Sequence, residues 1–99
     1  MKIIPSAPVI GDVFEYAQMG LVPAGAYRNR KYFDGRVCAE GIEEHYVDLA
    51  YDPQTSGGLL FSVSEKYADE IMKKLEENLE TKCALIGRVT EKQDKYIVL

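Results

Sequence analysis

Residues 51–60 read Tyr-Asp-Pro-Gln-Thr-Ser-Gly-Gly-Leu-Leu and limit both what can precede them and what must follow. Asp52-Pro53 ends any helix arriving from the N-terminal side, because the proline ring excludes the residue before it from the α region. Gly57-Gly58 permits positive φ and lets the backbone approach another group with no Cβ in between. Residues 59–63, Leu-Leu-Phe-Ser-Val, then have the composition of a strand. Thr55 and Ser56 add two hydroxyl donors. A backbone of this kind can aim two or three N–H groups at one point, making an anion-binding concavity. It is equally what a plain turn into a strand requires. The residues alone leave both readings open. A P-loop is excluded, since no Lys-Ser or Lys-Thr follows the glycines and the segment enters a strand where that motif enters a helix.

The flanking sequence predicts the remaining elements. Lys2-Ile3-Ile4 is a short strand ended by Pro5. Val9, Ile10, Val13, Phe14 and Ala17 recur at helical spacing, with Pro8 suited to the first helical position and Gly20 to the residue just past the end. Gly11 weakens that helix from within. Pro23-Ala24-Gly25-Ala26 reads as a loop before Tyr27-Arg28-Asn29-Arg30-Lys31-Tyr32-Phe33, the one basic cluster. Interleaved cations and aromatics can grip phosphates or stack bases, but in an acidic chain they also make an ordinary solvated face. Asp34-Gly35 is a turn, residues 36–39 a weak strand and residues 41–51 a short helix. His45, the single histidine, could titrate near neutral pH. With Glu43, Glu44 and Asp48 around it and no nucleophile beside it, it reads as a surface or half-buried structural residue.

The clearest element is a helix over 65–79, with Ser64 as N-cap. Tyr67, Ala68, Ile71, Met72, Leu75 and Leu79 form its apolar stripe, and Asp69–Lys73 and Glu70–Lys74 are favourably ordered i,i+4 pairs outside it. Residues 83–86 form a strand interrupted by Gly87 and continued through 88–90, and residues 95–99 form a last one. The order is strand, helix, loop, short helix, strand, long helix, strand, strand. An α+β domain with helices packed on a mixed sheet accommodates it.

At 99 residues the chain is one domain, 1–99, of a size at which a core can still be built. Its net charge of −4 argues against general nucleic-acid binding, which needs a basic face to displace counterions. No apolar run reaches the length of a membrane span, and Met1-Lys2-Ile3-Ile4-Pro5 has no signal-peptide core. A cytoplasmic location is expected. Cys38 and Cys83 have no motif spacing and are expected reduced and packed, with a disulfide the lesser reading.

Asp52 through Leu60, nine residues in register, resembles the signature near the C-terminus of the selenophosphate synthetase family, the selenide, water dikinases. Val22-Pro23, Gly25 and Asn29 fit that family's Val-Pro-Gly-Gly-Thr segment with its following Asn. Ala24 and Ala26 depart from it, and the second departure removes a hydroxyl donor. Ile86-Gly87-Arg88-Val89 resembles the family's ending. The resemblance covers nearly the whole chain but only about the last third of such an enzyme. It implies the C-terminal domain of the superfamily that includes aminoimidazole ribonucleotide synthetase, truncated at its N-terminal end.

The activity so implied makes selenophosphate, AMP and phosphate from selenide, ATP and water, with ATP and Mg²⁺ acting in the full enzyme and neither held tightly by this chain. The family's reactive Cys or selenocysteine, its Lys and its Mg²⁺-binding aspartates match no position here, so no catalytic or metal residue is assigned. Phosphoryl transfer rests on Mg²⁺ and cationic groups that neutralise charge, and a chain without them is expected to be inactive alone. The resemblance makes it one wall of an interdomain cleft. Thr55, Ser56, Gly57 and Gly58 are the expected donors to phosphate oxygens, and Asn29 is a second candidate. The implied partner is the N-terminal domain of the same enzyme, in a homodimer, with neither nucleic acid nor membrane. The alternative is a stand-alone, non-catalytic partner or split subunit docking on a separate N-terminal half, and a related ATP-using synthetase is a third reading.

Overall fold

The computed structural model describes residues 1–3 and 7–99, so the predicted strand end at Ile4 and Pro5 lies outside the described residues. Four two-residue strands form a mixed sheet: β1 (Lys2–Ile3), β2 (Val37–Cys38), β3 (Gly87–Arg88) and β4 (Ile97–Val98), in the order β2-β4-β1-β3. β1 runs parallel to β4 and antiparallel to β3, and β2 is parallel to β4. Gly87 has a packing reason. A Cβ there would stand 2.6 Å from the Lys2 carbonyl oxygen, so β1 and β3 can approach only if this residue is glycine. The predicted α+β class and mixed sheet are what the chain adopts.

Three short helices precede the 51–60 segment: α1 (Val13–Gln18), α2 (Ala24–Tyr32) and α3 (Glu44–Ala50). α1 starts later than its apolar spacing predicts, because Gly11 takes φ +47° and residues 7–10 are not helical. Its end is as expected. Gly20 sits at φ +77°, its N–H donates to the Ala17 carbonyl, and the Leu21 N–H donates to that of Tyr16. This double closure satisfies carbonyls that would otherwise be orphaned at the helix end. The predicted loop at 23–26 is instead the first turn of α2, with Pro23 as its N-cap residue. Each of these helices contributes one buried residue: Ala17, Ala26 and Val47. Phe14 of α1 packs at 4.7 Å from the Tyr46 ring and edge-on to His45 of α3. His45 is half-buried there, within 3.5 Å of Glu43 and Gln18, which is a structural placement.

The second half of the chain departs further from expectation. Residues 59–63 form no strand. The long helix begins as a 3-10 turn, Glu65–Tyr67, and becomes α4 only at Ala68–Asn78. Ser64 precedes it in extended conformation with no side-chain capping bond. Lys74 pairs with Glu70 as predicted, at 2.6 Å, whereas Lys73 turns to Glu77 and not to Asp69. Only Gly87–Arg88 of the predicted 83–90 strand pairs. Both cysteines are free and half-buried.

The candidate site: two motif loops held side by side

The sequence segments 22–29 and 51–58 lie far apart in the chain, and the helices bring them together. Gly25, in the first turn of α2, meets Pro53, since a Cβ on Gly25 would lie 2.7 Å from Pro53 Cγ. One turn later the Asn29 side chain donates from Nδ2 to the Tyr51 backbone carbonyl at 2.9 Å, in a half-buried position. Arg30 completes the link by pairing with Glu44 and, at 3.4 Å, with Asp48. Those carboxylates stand one turn apart on α3. The Glu44 carboxyl is held below the usual glutamate range by the hydrogen bond from Arg30, against an opposing loss of solvation and with the Arg30 charge adding to it, and the Arg30 guanidinium is pushed higher by the same bond. Arg30 is therefore committed within the fold, leaving Arg28 and Lys31 as the exposed cations of the basic cluster. The apolar spacing of α3 gave no sign of this pairing. The signal was Glu44 and Asp48 at i,i+4.

Between α1 and α3 lies a cleft of about 180 Å³ lined by Tyr16, Leu21, Val22, Pro23, Asp48 and Asp52 among others. It adjoins the motif loops but presents carboxylates, which repel a phosphate.

Gln54-Thr55-Ser56-Gly57 closes as a turn, the Gly57 N–H donating to the Gln54 carbonyl at 3.2 Å. Gly57 eases that closure, because a Cβ would press on Gln54 Cβ and Oε1 at 3.1 Å. Neither Gly57 nor Gly58 takes the positive φ expected of them. The loop therefore closes without the left-handed residues of an anion nest. Its available donors are the exposed Thr55 and Ser56 hydroxyls and the Gly58 N–H, none of which has a partner among the described residues. Gly58 is unlike its neighbour. A Cβ there would meet nothing within 4 Å, so nothing described in the fold demands glycine at 58. The five residues expected at the site thus divide: Thr55, Ser56 and Gly58 face outward, Gly57 shapes the turn, and Asn29 spends a donor on the backbone of Tyr51. Among the described residues no three His, Cys, Asp or Glu side chains converge as a metal-binding set.

The model of the family described as AIR synthase related protein, C-terminal domain, matches residues 11–99. The chain belongs to that family. Among curated proteins, this AIR synthase related domain is 51% identical over 90% of its length to the selenide, water dikinase of Caldanaerobacter subterraneus subsp. tengcongensis. It is 41% identical over 93% to selenide, water dikinase 2 of Peptoclostridium acidaminophilum, and 45% over 93% to the selenide, water dikinase of Clostridioides difficile. The domain spans 26%, 26% and 27% of those three proteins, about a quarter of each. No solved structure gives a significant match. Among the described residues no helix is long and apolar enough to cross a membrane.

Proposed function

We propose that this chain acts as the C-terminal domain of a selenide, water dikinase, forming one wall of a cleft that holds phosphate groups of ATP or its products. The observation that carries this reading is the junction of the two motif loops. Gly25 against Pro53 and Asn29 on the Tyr51 carbonyl hold segments 22–29 and 51–58 side by side. Thr55, Ser56 and the Gly58 N–H supply uncharged donors, and the first turn of α2, the positive end of its dipole, lies against Pro53 of the same segment. Gly58 supports the reading by what it does not do. It has no conformational or packing duty among the described residues, which suits a place kept clear for a ligand or a facing domain.

ATP and Mg²⁺ fit this chain unequally. Hydroxyl and N–H donors suit phosphate oxygens, whereas a hard cation needs several convergent oxygen ligands and the described residues offer no such set. The metal, the reactive Cys or selenocysteine and the Lys belong in this reading to an N-terminal domain on which the chain docks. The isolated chain is inactive because phosphoryl transfer needs those parts.

The test is Gly58→Val in a full-length selenide, water dikinase carrying this segment. The variant domain folds, as its amide spectrum will show, while selenophosphate formation falls by tenfold or more, about 1.4 kcal/mol in the barrier. Turnover at the wild-type rate overturns the proposal. A titration of the 99-residue chain with inorganic phosphate, AMP and Mg·ATP, read at the Thr55–Gly58 amides, reports how much of the site this domain carries alone.

A further inference from the structure

Tyr51 is the C-cap residue of α3, and the helix can go no further because Pro53 follows. The proline has no N–H to offer and keeps Asp52 out of the α region, so the chain turns away from carbonyls that a continuing helix would satisfy. Among the described residues no backbone N–H donates to the Tyr51 carbonyl. Its donor comes from another helix: Asn29 Nδ2 of α2, at 2.9 Å and half-buried. A polar group left without a partner in such a place costs more than an ordinary bond contributes, so the contact is held.

Between Tyr51 and the turn that carries the exposed donors stand only Asp52 and Pro53. Both are stiff, since proline fixes its own φ and restricts the residue before it. A displacement at Tyr51 is therefore passed on to the turn and not absorbed. Beyond Pro53, the Gly57 N–H bond to the Gln54 carbonyl closes the turn only on itself. The turn takes its place from two contacts with α2 that bracket Asp52: Gly25 against Pro53 and Asn29 on Tyr51. α2 is a firm base for them, because Arg30, next to Asn29, pairs with Glu44 and Asp48 of α3.

We infer that Asn29 is a positioning residue. It acts on no phosphate directly, and by holding the Tyr51 carbonyl it sets where the Thr55 and Ser56 hydroxyls and the Gly58 N–H stand. The consequence for turnover rests on the phosphate reading above. The consequence for the turn does not.

Two substitutions separate the hydrogen bond from the shape of the side chain. Asn29→Leu keeps the branched shape and loses the donor. Asn29→Gln keeps the donor on a longer stem, and with it the fold. In amide spectra of the 99-residue chain, Asn29→Leu moves the Thr55, Ser56, Gly57 and Gly58 resonances, all beyond the Asp52-Pro53 pair. Asn29→Gln moves them less, and Arg28→Ala, an exposed neighbour on α2, leaves them in place. If Asn29→Leu moves them no more than Asn29→Gln does, the side chain acts by packing and the inference falls. In a full-length selenide, water dikinase carrying this segment, Asn29→Leu lowers selenophosphate formation by about tenfold. It adds little to the loss in Gly58→Val, because both act through one turn. Losses that multiply in full overturn the inference, since Asn29 then acts apart from the turn. So does wild-type turnover in Asn29→Leu where Gly58→Val is impaired. Wild-type turnover in Gly58→Val removes the phosphate reading, and the amide spectra then decide the role of Asn29 by themselves.

Discussion

At the scale of single residues, the glycines separate by what a methyl group would meet. Gly25→Ala gains helix propensity worth about 1 kcal/mol but drives a Cβ to 2.7 Å from a proline ring. The ring cannot swing aside as a flexible side chain would. Overpacking of this sort costs about 1–3 kcal/mol, so the clash wins and the variant loses about 1 kcal/mol by urea denaturation. Adding Pro53→Ala removes the obstacle, and the double variant recovers what the single one lost, a coupling neighbouring sites commonly show. Gly58→Ala, with neither a neighbour nor a positive φ, stays within about 0.5 kcal/mol of wild type. Position 57 was legible in the sequence only as one of a Gly-Gly pair. Its duty against Gln54 and the freedom of Gly58 depend on side-chain distances that no local pattern encodes.

At the scale of elements, the legible parts were those whose signals are local. Gly20 ending α1, the Asp34-Gly35 turn with Gly35 at φ +73°, and the position of α3 all follow from neighbours a few residues away. Residues 59–63 failed because strand propensity is realised only when a partner edge is available. The four-strand sheet is made by β1 to β4, and residues 59–63 lie along neither of its edges. α4 began late for a related reason. It packs on no other helix or strand among the described residues, so little apolar packing draws residues 65–67 into α geometry. Glu65 there reaches Arg88 of β3 at 2.8 Å through an exposed ion pair.

The α2–α3 junction carries a pH signature. The Glu44 carboxyl titrates lower in the folded chain than when unfolded, through Arg30. Its stabilising effect is therefore complete above the ordinary glutamate value of about 4.3 and is lost as pH falls through the lower folded value. Glu44→Gln is thus less stable than wild type at pH 6, and the two converge at pH 3 or in molar salt, which screens an exposed pair. A difference that persists at pH 3 and high salt would assign the stability to side-chain packing.

At the scale of the whole molecule, the expected core is far smaller than chain length alone suggests. Burial is confined to Ala17, Ala26 and Val47 among the described residues. The Cα radius of gyration is 14.8 Å, where roughly 13 Å describes a compact domain of this length. Unfolding a compact monomer of this mass would expose about 10,400 Å² and unfolding this one about 7,700 Å². The urea m-value, which scales with that area, is accordingly about a quarter below the norm for its length. An m-value at the norm would mean the chain in solution is more closed than its structure. The mixed sheet carries one more consequence, in the order of assembly. The Met1 ammonium bonds the Tyr96 carbonyl 95 residues away, and β1 lies between β3 and β4 from the far end of the sequence. Asn29 and Tyr51 are 22 residues apart. Contacts between distant residues close slowly and near ones quickly. The junction of segments 22–29 and 51–58 is therefore set while the sheet is still open, and it owes its shape to the helices.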